Sequence, residues 1–177
     1  MEHKPTITRG ISADPKNLLV SEEHLRKNET ALVSVKRGGD FTAHEPGQMV
    51  IYAHIDLKKR EFPLAEFLQF FITTAQKSIL ETWNLAVSSR KNAPGLYLDD
   101  GSEKKIVSIG IFTKSFFTSY GIAVNLRNSL QAFQFINPCG IASNRVQSIQ
   151  SIGLDPNKGQ EFQKNFREIW RNEPKLN

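Results

Sequence analysis

The stretch KIVSIGIFTKSFFTSYGIAVNL, residues 105–126, says most about the fold of this chain. Within it, residues 105–112 and 118–126 are alternating or fully apolar, which is typical of strands that lie against a hydrophobic core. A short apolar run at residues 95–98 precedes them, and Asp99-Asp100-Gly101 supplies a hairpin-type turn. We predict a strand over each of the three segments.

Two more strands are predicted on the N-terminal side. Residues 31–35 (ALVSV) indicate a short buried strand, and residues 48–56 (QMVIYAHID) indicate a second strand. The segment between them is rich in glycine and asks for unusual backbone angles, so we predict a loop there.

Helical periodicity appears twice. Pro63 stands where a helix can begin, and apolar residues then recur at helical spacing to about Trp83. They are Leu64, Phe67, Leu68, Phe71, Ile72, Ala75, Ile79 and Leu80. A second stripe comprises Phe162, Phe166, Ile169 and Trp170 and ends near Pro174. Strands clustered between two helices indicate an α/β fold of the α+β kind, a mixed sheet flanked by helices.

Length and composition favour one soluble domain over residues 1–177, with 39% hydrophobic and 23% charged residues. The twelve phenylalanines suggest a core or a pocket lined with rings. The single cysteine excludes an internal disulfide and favours a reducing compartment. The polar start is not a signal peptide, and no apolar run is long enough to cross a bilayer. We therefore expect a cytoplasmic protein that does not bind membranes.

The net charge of +5 favours an acidic partner. Nucleic acid and an acidic carrier protein both fit this charge, and composition does not choose between them. No interleaving of aromatic and basic residues of the kind found in RNA-binding strands is present, so nucleic acid is the weaker alternative.

Cys139 and Lys105 are the first candidates for chemistry. Cys139 lies between Pro138 and Gly140, a sharp turn that can present a sulfur at a surface. A thiol needs a nearby cation or base to act as a nucleophile, and a lysine at the mouth of a pocket can lower a thiol's pKa and shuttle protons. The alternatives are a small buried cysteine and a solvated surface lysine.

The loop between the first two predicted strands is the second candidate. It reads Arg37, Gly38, Gly39, Asp40, Phe41, Thr42, Ala43, His44, Glu45, Pro46, Gly47 and Gln48. Its backbone N–H groups can approach a carbonyl or a phosphate closely, although the pattern matches no known phosphate-binding motif and a plain connecting loop is the alternative. Scattered histidines and one cysteine do not form a zinc site, so we expect no metal.

Taken in order, these segments resemble the octanoyltransferase family, also called lipoate-protein ligase B. The family pattern is RGG-x-x-T-x-HGPGQ, a lysine that opens a KIxSIG-like strand, then G-[FIL]-A-[LV]-N and INPCG. The matching residues here are Arg37-Gly38-Gly39, Thr42, His44, Pro46-Gly47-Gln48, residues 105–110, residues 121–125 and residues 136–140. Residues 93–97 (APGLY) also resemble a family segment. Each motif is modest alone, and five in the right order are specific.

The resemblance implies a fold of the biotin/lipoyl-ligase type, a core like that of class II synthetases. It implies that Cys139 takes an octanoyl group from acyl carrier protein as a thioester, with Lys105 as its acid/base partner. The group then passes to a lysine of a lipoyl domain in a 2-oxoacid dehydrogenase or in the glycine cleavage H protein, without a cofactor. Residues implied to line the acyl pocket are Arg37 to His44 (Arg37, Gly38, Gly39, Asp40, Phe41, Thr42, Ala43, His44), Ser108, Ile109, Gly110, Gly121, Ile122 and Ala123. Of these, residues 108–110 are expected to offer backbone N–H groups to the thioester oxygen.

Three departures from the family pattern stand out. Glu45 replaces a glycine, so we expect a strained loop or a crowded pocket. Tyr120 replaces a histidine and lacks its proton-accepting nitrogen. Residues 2–10 resemble an internal segment of the family, so the family's first strand and helix are expected to be missing. A missing strand leaves a sheet edge open, which favours lower stability or dimerisation of a chain otherwise expected to be a monomer.

Two other functions remain open at this point. An ATP-using lipoate ligase shares the fold and a lysine but does not need the cysteine. A truncated, non-catalytic homologue that only binds acyl chains or carrier proteins is the second alternative, motivated by the three departures.

Overall fold

The computed structural model describes residues 1–90 and 93–176, and within them eight strands form two sheets. The small sheet has the order β2-β1-β3, with β1 (Thr6–Arg9), β2 (Ala31–Ser34) and β3 (Phe41–His44). The large antiparallel sheet has the order β4-β8-β7-β6-β5, with β4 (Gln48–Tyr52), β5 (Val87–Arg90), β6 (Ala93–Leu98), β7 (Lys105–Lys114) and β8 (Phe117–Asn125). The helices are α1 (Glu22–Lys27), α2 (Leu64–Trp83) and α3 (Gly159–Arg171).

The β7–β8 hairpin occupies the centre of the large sheet, which confirms the strands predicted from residues 105–126. Its register pairs Ser108 with Ala123 and Gly110 with Gly121, so two glycine-containing segments lie side by side. A Cβ atom on Gly121 would lie 1.9 Å from the backbone oxygen of Ile51, so only glycine lets β4 approach this closely. The hairpin therefore sets how closely β4 approaches β8.

The prediction for residues 31–35 was wrong about burial. These residues do form β2, but β2 is the edge strand of the small sheet and its side chains are mostly exposed. Val33, in the middle of this strand, is 44% exposed. The strand predicted over residues 48–56 is also shorter, since β4 ends at Tyr52.

The two long helices confirm the periodicity analysis and form most of the main core. The buried face of α2 packs against α3 through stacked and edge-on rings. The rings of the two helices are Phe67, Phe70, Phe71, Trp83, Phe162, Phe166 and Trp170, and Phe62, which precedes α2, packs against Phe67 and Phe70. Leu64 and Leu80, which we expected on the buried stripe, are 41% and 49% exposed, because they lie at its edge. Most phenylalanines therefore serve the core.

The observed class, sheets flanked by helices, is the predicted α/β arrangement. Among the described residues, no helix has the length and apolar character needed to cross a bilayer.

Candidate active site

A cavity of about 230 Å³ lies between the two sheets and brings most of the predicted site together. The predicted residues in its wall are Arg37, Gly39, Asp40, Phe41, Thr42, His44, Lys105, Ser108, Ile109, Gly110, Gly121, Ile122, Ala123 and Cys139. Gly38 and Ala43 do not line it. The backbone N–H of Gly38 donates to the oxygen of Ile111, and the side chain of Ala43 is fully buried in the core beneath the small sheet.

Several wall residues were missed by the sequence analysis. They are His3, Thr6, Thr8, Val33, Val35, Val50, Tyr52 and Pro94. Val33 and Val35 lie two residues apart on one face of an extended segment, and Thr6 and Thr8 repeat this spacing on β1. The alternation of side chains along a strand was therefore the sequence signal that could have identified these residues. It does not tell which of the two faces of the strand lines the cavity.

Lys105 is the most unusual charged group in the wall. It begins β7 and is 3% exposed, so the expectation of a solvated surface lysine does not hold. Its Nζ donates to the backbone oxygen of Pro94 at 2.7 Å. Burial lowers the pKa of Lys105 to about 8, with the negative charge of Cys139 opposing this effect and the positive charge of Arg37 adding to it. Near pH 7 most of Lys105 is therefore protonated, and a minor fraction, about a tenth, is the free amine.

Pro94 and Gly95 lie against the side chain of Lys105. A Cβ atom on Gly95 would lie 2.4 Å from Cε of Lys105 and 2.5 Å from the oxygen of Val107. The backbone of Gly95 also has a φ of +149°, which residues with a side chain rarely adopt. Glycine is thus required for the lysine to reach the cavity along this path.

Cys139 lies at a strained turn in the same wall. It is half-buried and has a φ of 57° and a ψ of 34°, a left-handed conformation that is costly for a residue with a Cβ atom. The N–H of Asn137 donates to Asn17 at 2.8 Å, and the N–H of Gly140 donates to Asn137 at 3.1 Å. These bonds hold the turn, and strain of this kind clusters at functional sites.

Arg37 lies in the same cavity wall as Lys105 and Cys139. It is 7% exposed, and its guanidinium donates to the hydroxyl and backbone oxygen of Thr8 and to the oxygen of Gly38. Burial lowers the pKa of Arg37 to about 10, while the negative charges of Cys139 and Asp40 raise it. Arg37 therefore keeps its proton at neutral pH.

His44 is held in one orientation by Gln48. The Nε2 of Gln48 donates to the oxygens of Ala43 and Asn125, so its Oε1 accepts from Nδ1 of His44 at 2.8 Å. Burial lowers the pKa of His44 to about 4, and the charges of His3 and Arg37 lower it further. His44 is thus neutral in the cavity wall, with Nε2 as its free acceptor.

The expected strain at Glu45 is not observed. Its backbone is not among the residues of positive φ, and its carboxylate points away from the cavity. It accepts from Asn128 Nδ2 at 3.0 Å, from the N–H of Ala132 at 3.2 Å and from Ser129 Oγ at 3.3 Å. Glu45 therefore ties the loop after β3 to the segment that leads to Cys139, rather than crowding the pocket.

Tyr120, the other substituted position, lies in the cavity wall. Its backbone has a φ of 67°, and its hydroxyl accepts from the N–H of Lys36 at 3.2 Å. The residue therefore joins β8 to the segment after β2, a contact that spans the two sheets.

The described residues contain no group of three or more metal-ligating side chains. The cavity instead offers a thiol, a partly neutral amine, a fixed guanidinium and an apolar wall. This set suits the transfer of an acyl group with a hydrocarbon chain, because the thiol can hold the group covalently while the amine moves a proton.

Comparisons with known proteins agree with this geometry. The sequence model of the lipoyl protein ligase A/B catalytic domain matches residues 1–169. An octanoyltransferase from Leptospira borgpetersenii serovar Hardjo-bovis (strain JB197) is 48% identical over 155 residues, which cover 88% of this chain and 71% of that protein. A solved bi-partite lipoate protein ligase from Thermoplasma acidophilum superposes with a TM-score of 0.71 at 14% identity, covering 96% of this chain and 69% of the other.

A biotin protein ligase from Aquifex aeolicus has a TM-score of 0.51 at 16% identity, covering 93% of this chain and 68% of that one. These two likenesses confirm the predicted biotin/lipoyl-ligase fold. The family model and the close relative together confirm the resemblance drawn from the motifs: the chain belongs to the lipoyl protein ligase A/B catalytic domain family.

Proposed function

We propose that this chain is an octanoyltransferase that moves an octanoyl group from acyl carrier protein, through a thioester on Cys139, to a lysine of a lipoyl domain. The observation that carries the proposal is that Cys139 and the buried Lys105 line the same apolar cavity. The close relative is itself named an octanoyltransferase.

In the first half-reaction, neutral Lys105 takes the proton of Cys139 and the sulfur attacks the octanoyl carbonyl. The new C–S bond forms as the bond to the carrier's sulfur breaks, and Lys105 returns the proton to the leaving thiolate. Two thiols of similar basicity exchange the acyl group, so the step needs neither ATP nor a metal.

In the second half-reaction, the amine of the acceptor lysine attacks the thioester on Cys139. Lys105 takes a proton from the attacking nitrogen and gives it to the departing sulfur of Cys139, so that an amide forms and both residues return to their starting states. Ser108, Ile109 and Gly110 are proposed to face the thioester oxygen, and a donor aimed at the developing oxyanion supplies part of the rate.

The partners follow from the same chemistry. The donor is proposed to be octanoyl acyl carrier protein, whose acidic surface suits a chain of net charge +5. The acceptors are proposed to be lipoyl domains of 2-oxoacid dehydrogenases or the glycine cleavage H protein. A working thiol suits a reducing compartment, so we propose that the chain acts in the cytoplasm. We also propose that it acts as a monomer.

The two alternatives are less well supported. An ATP-using ligase has no need of a cysteine in the cavity wall, and the relative that is 48% identical is named for octanoyl transfer. The substitutions that motivated a non-catalytic homologue, Glu45 and Tyr120, both fit the structure without blocking the cavity.

The test is the intact mass of the protein after it is mixed with octanoyl carrier protein. We expect the gain of one octanoyl group, lost in Cys139→Ser and strongly slowed in Lys105→Met. Addition of a lipoyl domain is expected to remove the group from the enzyme and place it on that domain. An unchanged adduct in Cys139→Ser contradicts the thioester, and transfer that requires ATP and free octanoate supports the ligase alternative.

A further inference from the structure

The floor of the cavity is made by one face of the large sheet. Strand pairing places Ser108 of β7, Ala123 of β8 and Val50 of β4 in one row across three neighbouring strands, and all three line the cavity. Their neighbours in the chain, such as Val107 and Val124, belong to the main core on the other face of the sheet. Because side chains alternate between the two faces of a strand, this row points into the cavity.

A second row lies beside the first, two residues away on each strand. It comprises Gly110, Gly121 and Tyr52, which also line the cavity. In both rows the residues on β7 and β8 have a small side chain or none, and the residue on β4 is the first large one. A hydrocarbon chain can therefore lie across β8 until it reaches β4. Val50 and Tyr52 together form an end wall at this side of the floor.

The reactive groups lie toward the opposite end of the floor. Nζ of Lys105, the proposed proton acceptor of Cys139, donates to Pro94 on β6, which pairs with β7 on the side away from β8. Gly95, the next residue on β6, pairs with Ser108 and so continues the first row toward this end. The floor thus runs from the amine of Lys105 to the end wall on β4.

The length of this floor matches a chain of eight carbons. Neighbouring strands lie about 4.8 Å apart, so the row from Ser108 to Val50 covers about 9.6 Å. In an extended hydrocarbon chain each bond of about 1.5 Å advances the chain by about 1.3 Å, so the bonds from the carbonyl carbon to the methyl of an octanoyl group span about 9 Å. A thioester carbonyl beside Ser108 therefore brings the terminal methyl of an octanoyl group to Val50.

The end wall is supported from behind. Val50 is 5% exposed, and its N–H donates to the backbone oxygen of Met1 at 2.9 Å. The hydroxyl of Tyr52 shares a hydrogen bond of 2.8 Å with Nε2 of His3. The segment that contains Met1 and His3 thus backs β4, and a wall with such contacts behind it resists displacement by a longer chain.

We propose that the end wall, Val50 and Tyr52, limits the acyl chain that this pocket accepts to about eight carbons. The inference rests on the proposed function of the same site. A longer saturated chain has to bend or to leave carbons in solvent, so it gains no further burial beyond the wall. A shorter chain leaves the space beside Val50 empty and loses the contacts of each missing methylene.

The experiment measures the affinity for saturated fatty acids of four to twelve carbons by isothermal titration calorimetry, and the rate of acylation by the matching acyl carrier proteins by intact mass. Each buried methylene strengthens binding about fourfold, so wild-type affinity is expected to rise up to octanoate and no further for decanoate. Val50→Ala removes two methyl groups from the wall. Its optimum is expected to move to ten carbons, with decanoate binding about tenfold tighter than in wild type.

Ile51→Val is the matched control. Ile51 is the next residue on β4 and packs against the main core on the other face of the sheet. Its truncation is therefore expected to lower stability and to leave the optimum at eight carbons. Tyr52→Ala, which removes the other half of the wall, is expected to admit longer chains as Val50→Ala does.

An unchanged optimum in Val50→Ala overturns the inference, as does wild-type affinity that keeps rising about fourfold per methylene beyond octanoate. Should Val50→Ala fail to fold, Val50→Leu, which adds volume to the wall, is expected to move the optimum to a chain shorter than octanoate, and the wild-type series stands by itself. A purely structural role for Val50 predicts lower stability without a shift of the optimum.

The binding series also separates this inference from the proposed function. An optimum at eight carbons that moves in Val50→Ala, with no adduct on Cys139, upholds the end wall and contradicts octanoyl transfer. An adduct on Cys139 that forms equally fast from octanoyl and dodecanoyl donors upholds the thioester and overturns the end wall.

Discussion

Replacing Lys105 with methionine is expected to stabilise the folded chain at neutral pH while it removes the proton acceptor. Lys105 is 3% exposed, and burial lowers its pKa from 10.5 to about 8. The folded chain therefore holds this proton less tightly than the unfolded chain does, and a protonated Lys105 favours unfolding. Methionine fills a similar volume without a charge to desolvate.

The structure sets the size of the effect. A tenfold change in proton affinity is worth about 1.4 kcal/mol, so the lowered pKa costs the folded state about 3 kcal/mol at pH 7. Loss of the hydrogen bond from Nζ to Pro94 offsets about 1 kcal/mol of that gain. We expect a net gain of about 2 kcal/mol, or about 4–8 °C in Tm for a chain of this length.

The pH dependence provides a sharper check. Between about pH 8 and 10.5 the unfolded lysine is protonated and the folded one is not, so wild-type stability rises with pH in this window. The stability difference between Lys105→Met and wild type is therefore largest below about pH 8 and shrinks toward pH 10.5.

Urea denaturation followed by tryptophan fluorescence, from about pH 7 to pH 10, measures this difference. Lys104→Met is the control, because Lys104 precedes Lys105 in the chain and is not fully buried. Destabilisation of Lys105→Met by more than about 1 kcal/mol at pH 7 refutes the reasoning, as does a difference that stays constant up to pH 10.

Three further outcomes follow from the site. Glu45→Gly is expected to destabilise the chain by about 2–3 kcal/mol in urea denaturation, because three donors lose their acceptor, whereas Glu45→Gln keeps one oxygen and loses less; equal stability of Glu45→Gly and wild type contradicts this. Gly95→Ala is expected to slow acylation of Cys139, measured by intact mass, because the added Cβ displaces Lys105, while Gly101→Ala, which meets open space, keeps the wild-type rate. Burial lowers the pKa of His44 from 6.5 to about 4, so wild-type stability is expected to fall as pH drops through this range; an equally steep fall in His44→Gln contradicts that assignment.

Periodicity was sufficient for the long elements and insufficient for the short ones: β1, β5 and α1 were not predicted, and β3 lies in the segment that was predicted to be a loop. The helix from Leu64 to Trp83 and the strands of the β7–β8 hairpin follow from spacing, because one buried face repeats along each of them. The segment ALVSV was predicted to be buried and is an exposed edge, since an apolar run does not reveal whether another element covers it.

The family motifs, taken in order, predicted the site better than the chemistry of single residues did. Cys139 and Lys105 are separated by 34 positions, and each has an ordinary structural explanation when read alone. Glu45 shows the limit of motif comparison: a substitution expected to strain the loop instead makes three hydrogen bonds to residues more than 80 positions away.

By itself, the sequence determined the two long helices, the central strands, the family and the two residues proposed for acyl transfer, because these depend on local spacing and on motifs. Only the tertiary structure decided that Lys105 is buried, that Arg37 makes no ion pair with a carboxylate among the described residues, and that Val33 of β2 and Val35 just after it line the cavity. The physical reason is that proton affinity and burial depend on what surrounds a side chain. Those surroundings come from β1, β3, β6 and the Cys139 turn, which meet only when the two sheets pack together.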